Sequence, residues 1–275
     1  MSPKIVIHVA DVHLRNFHRR EEYLEQISKF EEMVKAKCEG YDHDDIRIVI
    51  AGDLVHSKNN ISNELFILAA RFIRDLEKIG IVFIISGNHD YVASNTDRDD
   101  TLTAMFETAQ FEQSYFLDMQ LGYKSGCIND EDVIWAVYSS WDDHAIPDIA
   151  SAKQANPSKK VIGLFHGNVI GAKMPNDFSL DTGLPKSAFK GCSMVMAGHI
   201  HKRQTLKYGK TEIVYPSSLI QQDLGETVTQ HGFEFWDLEN NTHEYVELPS
   251  EYGMYKFEVD KPEDIDNDNE RLLNL

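Results

Sequence analysis

The sequence predicts an α/β fold of four layers, in which two mixed β-sheets pack face to face and helices cover their outer surfaces. Three observations carry that expectation. Short β-branched runs alternate with helix-period segments early in the chain, more β-rich stretches follow, and polar metal-ligating residue types sit just after the strands. Open α/β sheets gather ligands at those strand ends. With 275 residues, 42% of them hydrophobic and 10% aromatic, the chain is long enough for one large α/β domain, or two small ones, with a buried core.

Residues 4–10, KIVIHVA, and 46–51, IRIVIA, are apolar runs bounded by polar turns, and each reads as a buried strand. Segments 20–37 and 62–79 carry apolar residues at helical spacing, and IVFII at 81–85 is a third strand. That order predicts a parallel sheet with covering helices. Further strands are predicted in DVIWAVYSSW at 132–141, KVIGLF at 160–165 and CSMVMA at 192–197. Hairpin-like pairs around Tyr208-Gly209 and Asn240-Asn241 make the second half look more antiparallel. In the 62–79 helix, Leu65, Leu68, Phe72, Leu76 and Ile79 form a stripe for the sheet, while Phe66 and Ile73 lie about 100° round on a second. Such an arc predicts burial on two sides, through a symmetric homodimer or a third layer inside the monomer. From Glu251 onward 8 acids face 3 bases, so residues 1–250 are expected to form the main domain and 251–275 an acidic tail or the start of a truncated capping domain.

No apolar run approaches the ~18 residues that span a bilayer, and no secretory signal is visible in MSPKIVIHVAD. Cys38, Cys127 and Cys192 are odd in number and outside any CxxC pattern, which suits reduced thiols in a cytoplasmic protein. A net charge of −18 repels nucleic acid unless positive charge is locally grouped. It is grouped in LRNFHRR, with Arg15, Arg19 and Arg20, and in HKRQTLKYGK, with Lys202, Arg203, Lys207 and Lys210.

Five short motifs follow strands: Asp11-Val12-His13, Gly52-Asp53-Leu54-Val55-His56, Gly87-Asn88-His89-Asp90, His166-Gly167 and Gly198-His199-Ile200-His201. In an extended chain alternate side chains share a side, so Asp11 with His13, and His199 with His201, are expected to reach one site. Carboxylate and imidazole without thiolate favours Mn²⁺, Fe²⁺ or Zn²⁺. A lone DxH or HxH carries little weight, since a single strand-end histidine is commonly a satisfied core or loop residue. Six histidines with Asp11, Asp53 and Asn88 in five ordered motifs are a different matter.

In order, these motifs resemble those of the calcineurin-like dinuclear metallophosphoesterases over roughly residues 5–220. GDLVH, FHGNVIG and YPSS look most like SbcD-type nucleases, the catalytic subunits of a double-strand-break repair complex. The resemblance implies two divalent ions, Mn²⁺ first and Fe²⁺, Zn²⁺ or Mg²⁺ as alternatives. Asp11, His13 and His201 would hold one, Asn88, His166 and His199 the other, and Asp53 would bridge them. His89 would stand free of both ions as the acid beside the leaving group, with His56 near it. Asp90 is a supporting residue whose role the sequence does not fix. DNA is the expected substrate, with Arg15, Arg19, Arg20, Lys202 and Arg203 as contacts.

The expected partner is an SbcC-type coiled-coil ATPase, bound weakly or not at all by these residues because the resemblance places the binding segment beyond Leu275. A phosphatase or cyclic-nucleotide phosphodiesterase needs the same metals and is the rival activity. A scaffold that kept the fold is a second rival, but it would be expected to lose ligands. The other histidines, His8, His18, His43, His144, His231 and His243, match no motif and read as core or surface residues. Asp142 and Asp143 in SSWDDH read as a solvated loop.

Overall fold

A computed structural model of the chain describes residues 2–58, 60–91 and 99–256. The first half runs β1 (Ile5–Val9), α1 (Arg20–Lys37), β2 (Ile46–Ala51), α2 (Asn63–Glu77), β3 (Ile81–Ile85), α3 (Thr101–Thr108) and β4 (Ser114–Phe116), then a short α4 (Leu117–Gln120). The second half holds β5 (Gly126–Asp130), β6 (Val133–Tyr138), α5 (Ile149–Ala155), β7 (Lys160–His166), β8 (Met194–Gly198), β9 (Gln204–Tyr208), β10 (Thr211–Tyr215), β11 (Gly232–Asp237) and β12 (Thr242–Glu247).

The strands form two six-stranded mixed sheets, ordered β12-β11-β1-β2-β3-β4 and β5-β6-β7-β8-β10-β9. Period-2 alternation assigns their faces. Ile5, Ile7 and Val9 of β1, with Ile48 and Ile50 of β2, pack under Phe30 and Val34 of α1 and Leu65 and Phe72 of α2. The intervening Val6, Val49 and Ala51 face the other sheet and meet Trp135, Ile162, Leu164 and Met196. On the far side of that second sheet, Ile134, Phe165 and Val195 pack with Ile149 of α5 and with Phe189 of a 3₁₀ turn, Lys186–Phe189. Helix, sheet, sheet and helix therefore stack as four layers. Arg47 is a charged residue on the face that meets the second sheet: 2% exposed, it is forked onto Asp130 of β5 at 2.7 and 2.8 Å.

The second half pairs in both senses: β6, β7, β8 and β10 run parallel, while β5–β6, the β9–β10 hairpin, β11–β12 and β11–β1 are antiparallel, as the hairpin signals predict. The hairpin at Asn240-Asn241 closes β11 onto β12 and delivers both to the first sheet, antiparallel to β1. Hairpin signals report only local reversal; they do not say to which sheet the reversed strand returns.

In α2, Leu65, Phe72 and Leu76 are buried as the stripe requires, but Leu68 is only partly so, and Ala69 and Ile73 complete the buried face. Ile73, placed by the pattern on a second face, is fully enclosed within the chain. Phe66 is half-buried and Ile67 is 57% exposed. Of the acidic segment 251–275, all beyond Lys256 lies outside the described residues.

Candidate metal centre

The strand exits place the site. β1 and β2 continue side by side past their ends: Asp11 N–H donates to Gly52 O at 3.1 Å, His13 N–H to Asp53 O at 2.9 Å and Leu14 N–H to Leu54 O at 2.9 Å. This part of the chain is not extended. Asp11, His13, Asp53 and His199 all have positive φ, at 54°, 50°, 52° and 96°. The convergence of Asp11 with His13, expected from β alternation, comes instead from left-handed residues beyond the strand, a conformation uncommon outside glycine. Gly52 also has positive φ, 89°, and a Cβ on it would strike the His166 ring. Gly87 is close enough to Asp53 that a Cβ there would strike its carboxylate.

Two ligand groups result, Asp11 with His13 and His201, and Asp53 with His166 and His199, and among the described residues His13, His56 and His89 form a third, each with its atoms within 4.8 Å of one another. Nε2 of His13 lies 3.0 Å from Nε2 of His201. Asp53 Oδ2 stands between the groups, 3.6 Å from His13 Nε2 and 3.2 Å from His166 Nε2. Asn88 Oδ1 joins the second group, 2.6 Å from His199 Nδ1 and 3.3 Å from His166 Nε2. All seven residues assigned to metals on the motifs thus meet in one place.

Their donor set fits divalent cations. Imidazole nitrogens and carboxylate oxygens crowd together, and among the described residues no lysine or arginine is hydrogen-bonded to any of the seven side chains. Two second-sphere bonds fix which nitrogen faces inward. His166 Nδ1–H donates to Ala51 O at 2.8 Å, and His201 Nδ1–H to Glu226 Oε1 at 2.5 Å. Burial pushes the Asp11 carboxyl up to about 6 against the pull of His166 and His201. In Asp53 burial acts the same way, but His166 and His13 outweigh it and hold the carboxyl well below the usual range.

His56 and His89 stack at 5.2 Å, and both abut His13, at 5.4 and 4.8 Å between ring centroids. His89 N–H donates to Asp53 Oδ1 at 2.7 Å, and its Nδ1–H to His56 O at 2.6 Å. Arg15 Nη1 donates to His56 Nε2 at 3.0 Å; burial, then that guanidinium, lowers the His56 imidazole to about 4.

Asp90 has a structural task the motif did not reveal. Fully buried, it accepts from Val55 N at 3.2 Å and Gly87 N at 2.8 Å, tying two ligand loops together. Burial, then the Asp53 charge, pushes it up to about 8. Asp118, also missed, accepts from Ser86 N at 2.8 Å and from Ser139 Oγ. Trp141 Nε1 donates to Ser86 Oγ at 3.0 Å, so the SSW segment braces SGNHDY. Glu226 follows Asp223 by three residues in LIQQDLGET, and nothing in its sequence neighbourhood marks it as a partner of the site.

Of the five cations assigned to substrate, Arg15 alone touches a motif histidine; it also donates to Gln222 Oε1 at 3.0 Å. Arg19 is paired with Glu22, Lys202 with Asp177 at 2.7 Å, and Arg203 with buried Glu234 at 3.4 Å while lying over the Tyr245 ring. Arg20 is exposed. Lys58, not singled out by sequence, donates to Asn88 O at 3.1 Å.

Carboxylates and imidazoles converging on a carboxylate between two groups, at the carboxyl ends of facing sheets, define a dinuclear metallohydrolase centre. The chain belongs to the calcineurin-like phosphoesterases, whose family model matches residues 5–203. That family holds divalent metals in a dinuclear site. The chain is 32% identical over 257 residues to the uncharacterized protein R555 of Acanthamoeba polyphaga mimivirus, covering 91% of this chain and 18% of that protein. It is 25% identical over 189 residues to the uncharacterized metallophosphoesterase YhaO of Bacillus subtilis strain 168, covering 66% of this chain and 42% of that protein. It therefore spans less than half the length of either relative. An archaeal phosphodiesterase structure aligns at 11% identity with a TM-score of 0.45, covering 89% of this chain and 99% of that one.

Proposed function

We propose that this metal-dependent phosphoesterase is a DNA nuclease, hydrolysing phosphodiester bonds as exonuclease or endonuclease in DNA recombination and repair. The observation that carries the reading is His89. Its Nδ1–H is committed to the His56 carbonyl at 2.6 Å, so Nε2 is the nitrogen that takes up a second proton and, from the imidazolium, passes it to the leaving oxygen. A DNA diester ejects a sugar alkoxide, a poor leaving group that needs that proton. The GDLVH, FHGNVIG and YPSS segments support DNA as the diester. Two divalent ions held by Asp11, His13, Asp53, Asn88, His166, His199 and His201 supply Lewis acidity toward the phosphoryl group; the chain's own part is to orient the phosphate and protonate the leaving oxygen. End-labelled single- and double-stranded DNA incubated with Mn²⁺, with Mg²⁺ or with chelator tests this. Metal-dependent shortening is expected. Turnover of small phosphomonoesters with intact DNA would establish the phosphatase reading instead.

The same reading includes Mn²⁺ as the working metal, a cytoplasmic setting, and an SbcC-type ATPase as partner of the longer assembly. Among the described residues no helix is long and apolar enough to cross a membrane, and the three cysteines are unpaired. A homodimer would use what α2 leaves uncovered, Ile67 and the partly buried Phe66. A monomer by light scattering at tens of micromolar, in an active sample, would exclude it.

A further inference from the structure

Two cavities flank the metal centre on different sides. One, of about 270 Å³, lies among Arg15, Phe17, His18 and His56. The other, of about 420 Å³, opens beside the second ligand group, Asn88, His166 and His199, and is walled by Tyr91, His144, Phe165, Asn168 and Leu184. A phosphomonoester has a substituent for one side only; a diester has one for each. The acid His89 stacks on His56, so the leaving group belongs on the His56 side and the retained substituent beside the second ligand group.

His144 is the unexplained residue of this second cavity. It and Asp143 are held in consecutive left-handed conformations, φ 56° and 54°, with His144 N–H on Ser139 O at 2.9 Å. Two such residues in a row store strain, a feature that clusters at ligand sites. The ring leans edge-on against buried Phe165 at 5.0 Å, and its Nδ1–H donates to Tyr138 O at 3.2 Å. That bond fixes the tautomer and leaves Nε2 as a lone-pair acceptor. No hydrogen bond to Nε2 is made among the described residues. Gly167 lies beneath it, where a Cβ would come within 3.2 Å. Asn168 uses its carbonyl for Leu184 N–H at 2.9 Å, and its side-chain amide takes no partner among the described residues. An acceptor and an uncommitted amide therefore line an aromatic-walled space of nucleoside size next to the reacting phosphate.

We propose that this cavity seats the nucleoside that stays on phosphorus, with His144 Nε2 accepting a hydrogen bond from its hydroxyl or ring N–H and the Asn168 amide making a second contact. The subsite rests on the phosphodiesterase reading and makes it specific: the enzyme selects diesters whose retained substituent is a nucleoside. A bare phosphate oxygen has no proton to give His144, and neither does a methyl group.

Two chromogenic diesters with the same leaving group isolate the retained side: thymidine 5′-(p-nitrophenyl) phosphate and methyl p-nitrophenyl phosphate. In both, water adds to phosphorus and the aryl P–O bond breaks, releasing p-nitrophenolate and leaving thymidine 5′-monophosphate or methyl phosphate. The readout is the ratio of kcat/KM for the thymidine ester to that for the methyl ester, with Mn²⁺-loaded protein. The ratio should be large in the wild type. It should fall by about 10-fold or more in His144→Asn, which tolerates the left-handed backbone but is too short to reach, and by a similar factor in Asn168→Ala. Metal content and the thermal midpoint identify variants that remain folded. A wild-type ratio near one, or a ratio unchanged in both folded variants, overturns the subsite. Failure to hydrolyse either ester overturns the phosphodiesterase reading itself, and the subsite with it.

Discussion

Glu226→Gln separates a residue that orients a ligand from one that merely fills space. In the native site Glu226 Oε1 accepts from His201 Nδ1–H at 2.5 Å, while Oε2 accepts from Ser218 Oγ at 3.0 Å and Gln222 N–H at 2.9 Å. A glutamine has one oxygen for these two sides. If the oxygen stays with Ser218 and Gln222, the NH₂ faces His201, whose Nδ1 must then accept. The ring proton moves to Nε2, the nitrogen that stands 3.0 Å from His13 Nε2 in the ligand cluster. If the oxygen turns to His201, the NH₂ opposes the Gln222 N–H, leaving a buried donor unmatched at a cost of about 1–3 kcal/mol. Either way the ligating tautomer is penalised, and a lost second-sphere partner typically costs about 10–100-fold in metal affinity, or about 1.4–2.7 kcal/mol. Calorimetric titration with Mn²⁺ reads this directly, and one of the two ions should weaken while the other holds. Two unchanged affinities, with only the thermal midpoint lowered, would refute the orienting role and make Glu226 a packing residue.

The remaining expectations test the acid, the sheet contact and the buried histidine. His89→Ala should retain its metals and lose about 10²- to 10⁴-fold on DNA but far less on an aryl diester, since phenolate needs no proton; equal losses on both would assign His89 to charge stabilisation instead. Asp130→Ala strips Arg47 of its forked partner between the sheets and should cost about 3–5 kcal/mol, read as a shift of the urea midpoint. Burial lowers the His8 imidazole from 6.5 to about 3, so between those pH values the unfolded chain binds a proton that the folded chain refuses. Stability should therefore fall as pH drops, by about 3 kcal/mol from pH 6.5 to pH 4 through this group, and His8→Leu should flatten the profile of urea midpoints over that window.

Where one face of an element meets the core, the sequence was a good guide to the fold. IRIVIA reads as a buried strand, and all its residues are buried; α1 spans Arg20–Lys37 as its period demands. Pairing was less legible because it depends on partners far away in the chain. β8 and β10 lie side by side and parallel, while β9 between them in sequence is sent to the edge. Thr211–Tyr215 and Gln204–Tyr208 look alike as one hairpin; burial of the former but not the latter comes from β8, which no local pattern announces. The α2 stripe was right but incomplete: Leu65, Phe72 and Leu76 are buried and Leu68 and Ile79 pack against the core, while Ala69 and Ala70 share the buried face unmarked, because a small residue is invisible to a count of large apolar ones.

Legibility of the site followed chemistry more than geometry. The motif residues were identifiable because histidine, aspartate and asparagine after buried strands have few structural uses, even though the alternation offered to bring them together is not how the chain does it. Residues acting through others lacked that signal. Glu226, Asp118 and Asp90 spend their oxygens on one histidine, on serine hydroxyls and on backbone N–H groups around the site, tasks which an acid anywhere in the sequence could perform. The cations were the converse case. A basic cluster in sequence was read as surface for DNA, yet Arg19, Lys202 and Arg203 are held by Glu22, Asp177 and Glu234 of the same chain. In a protein of net charge −18, much of the positive charge is committed to its own acids. If DNA is the substrate, as proposed, its attraction would rest on the few cations and the metals at the centre itself, and binding should be short-ranged and metal-dependent rather than spread across a basic face.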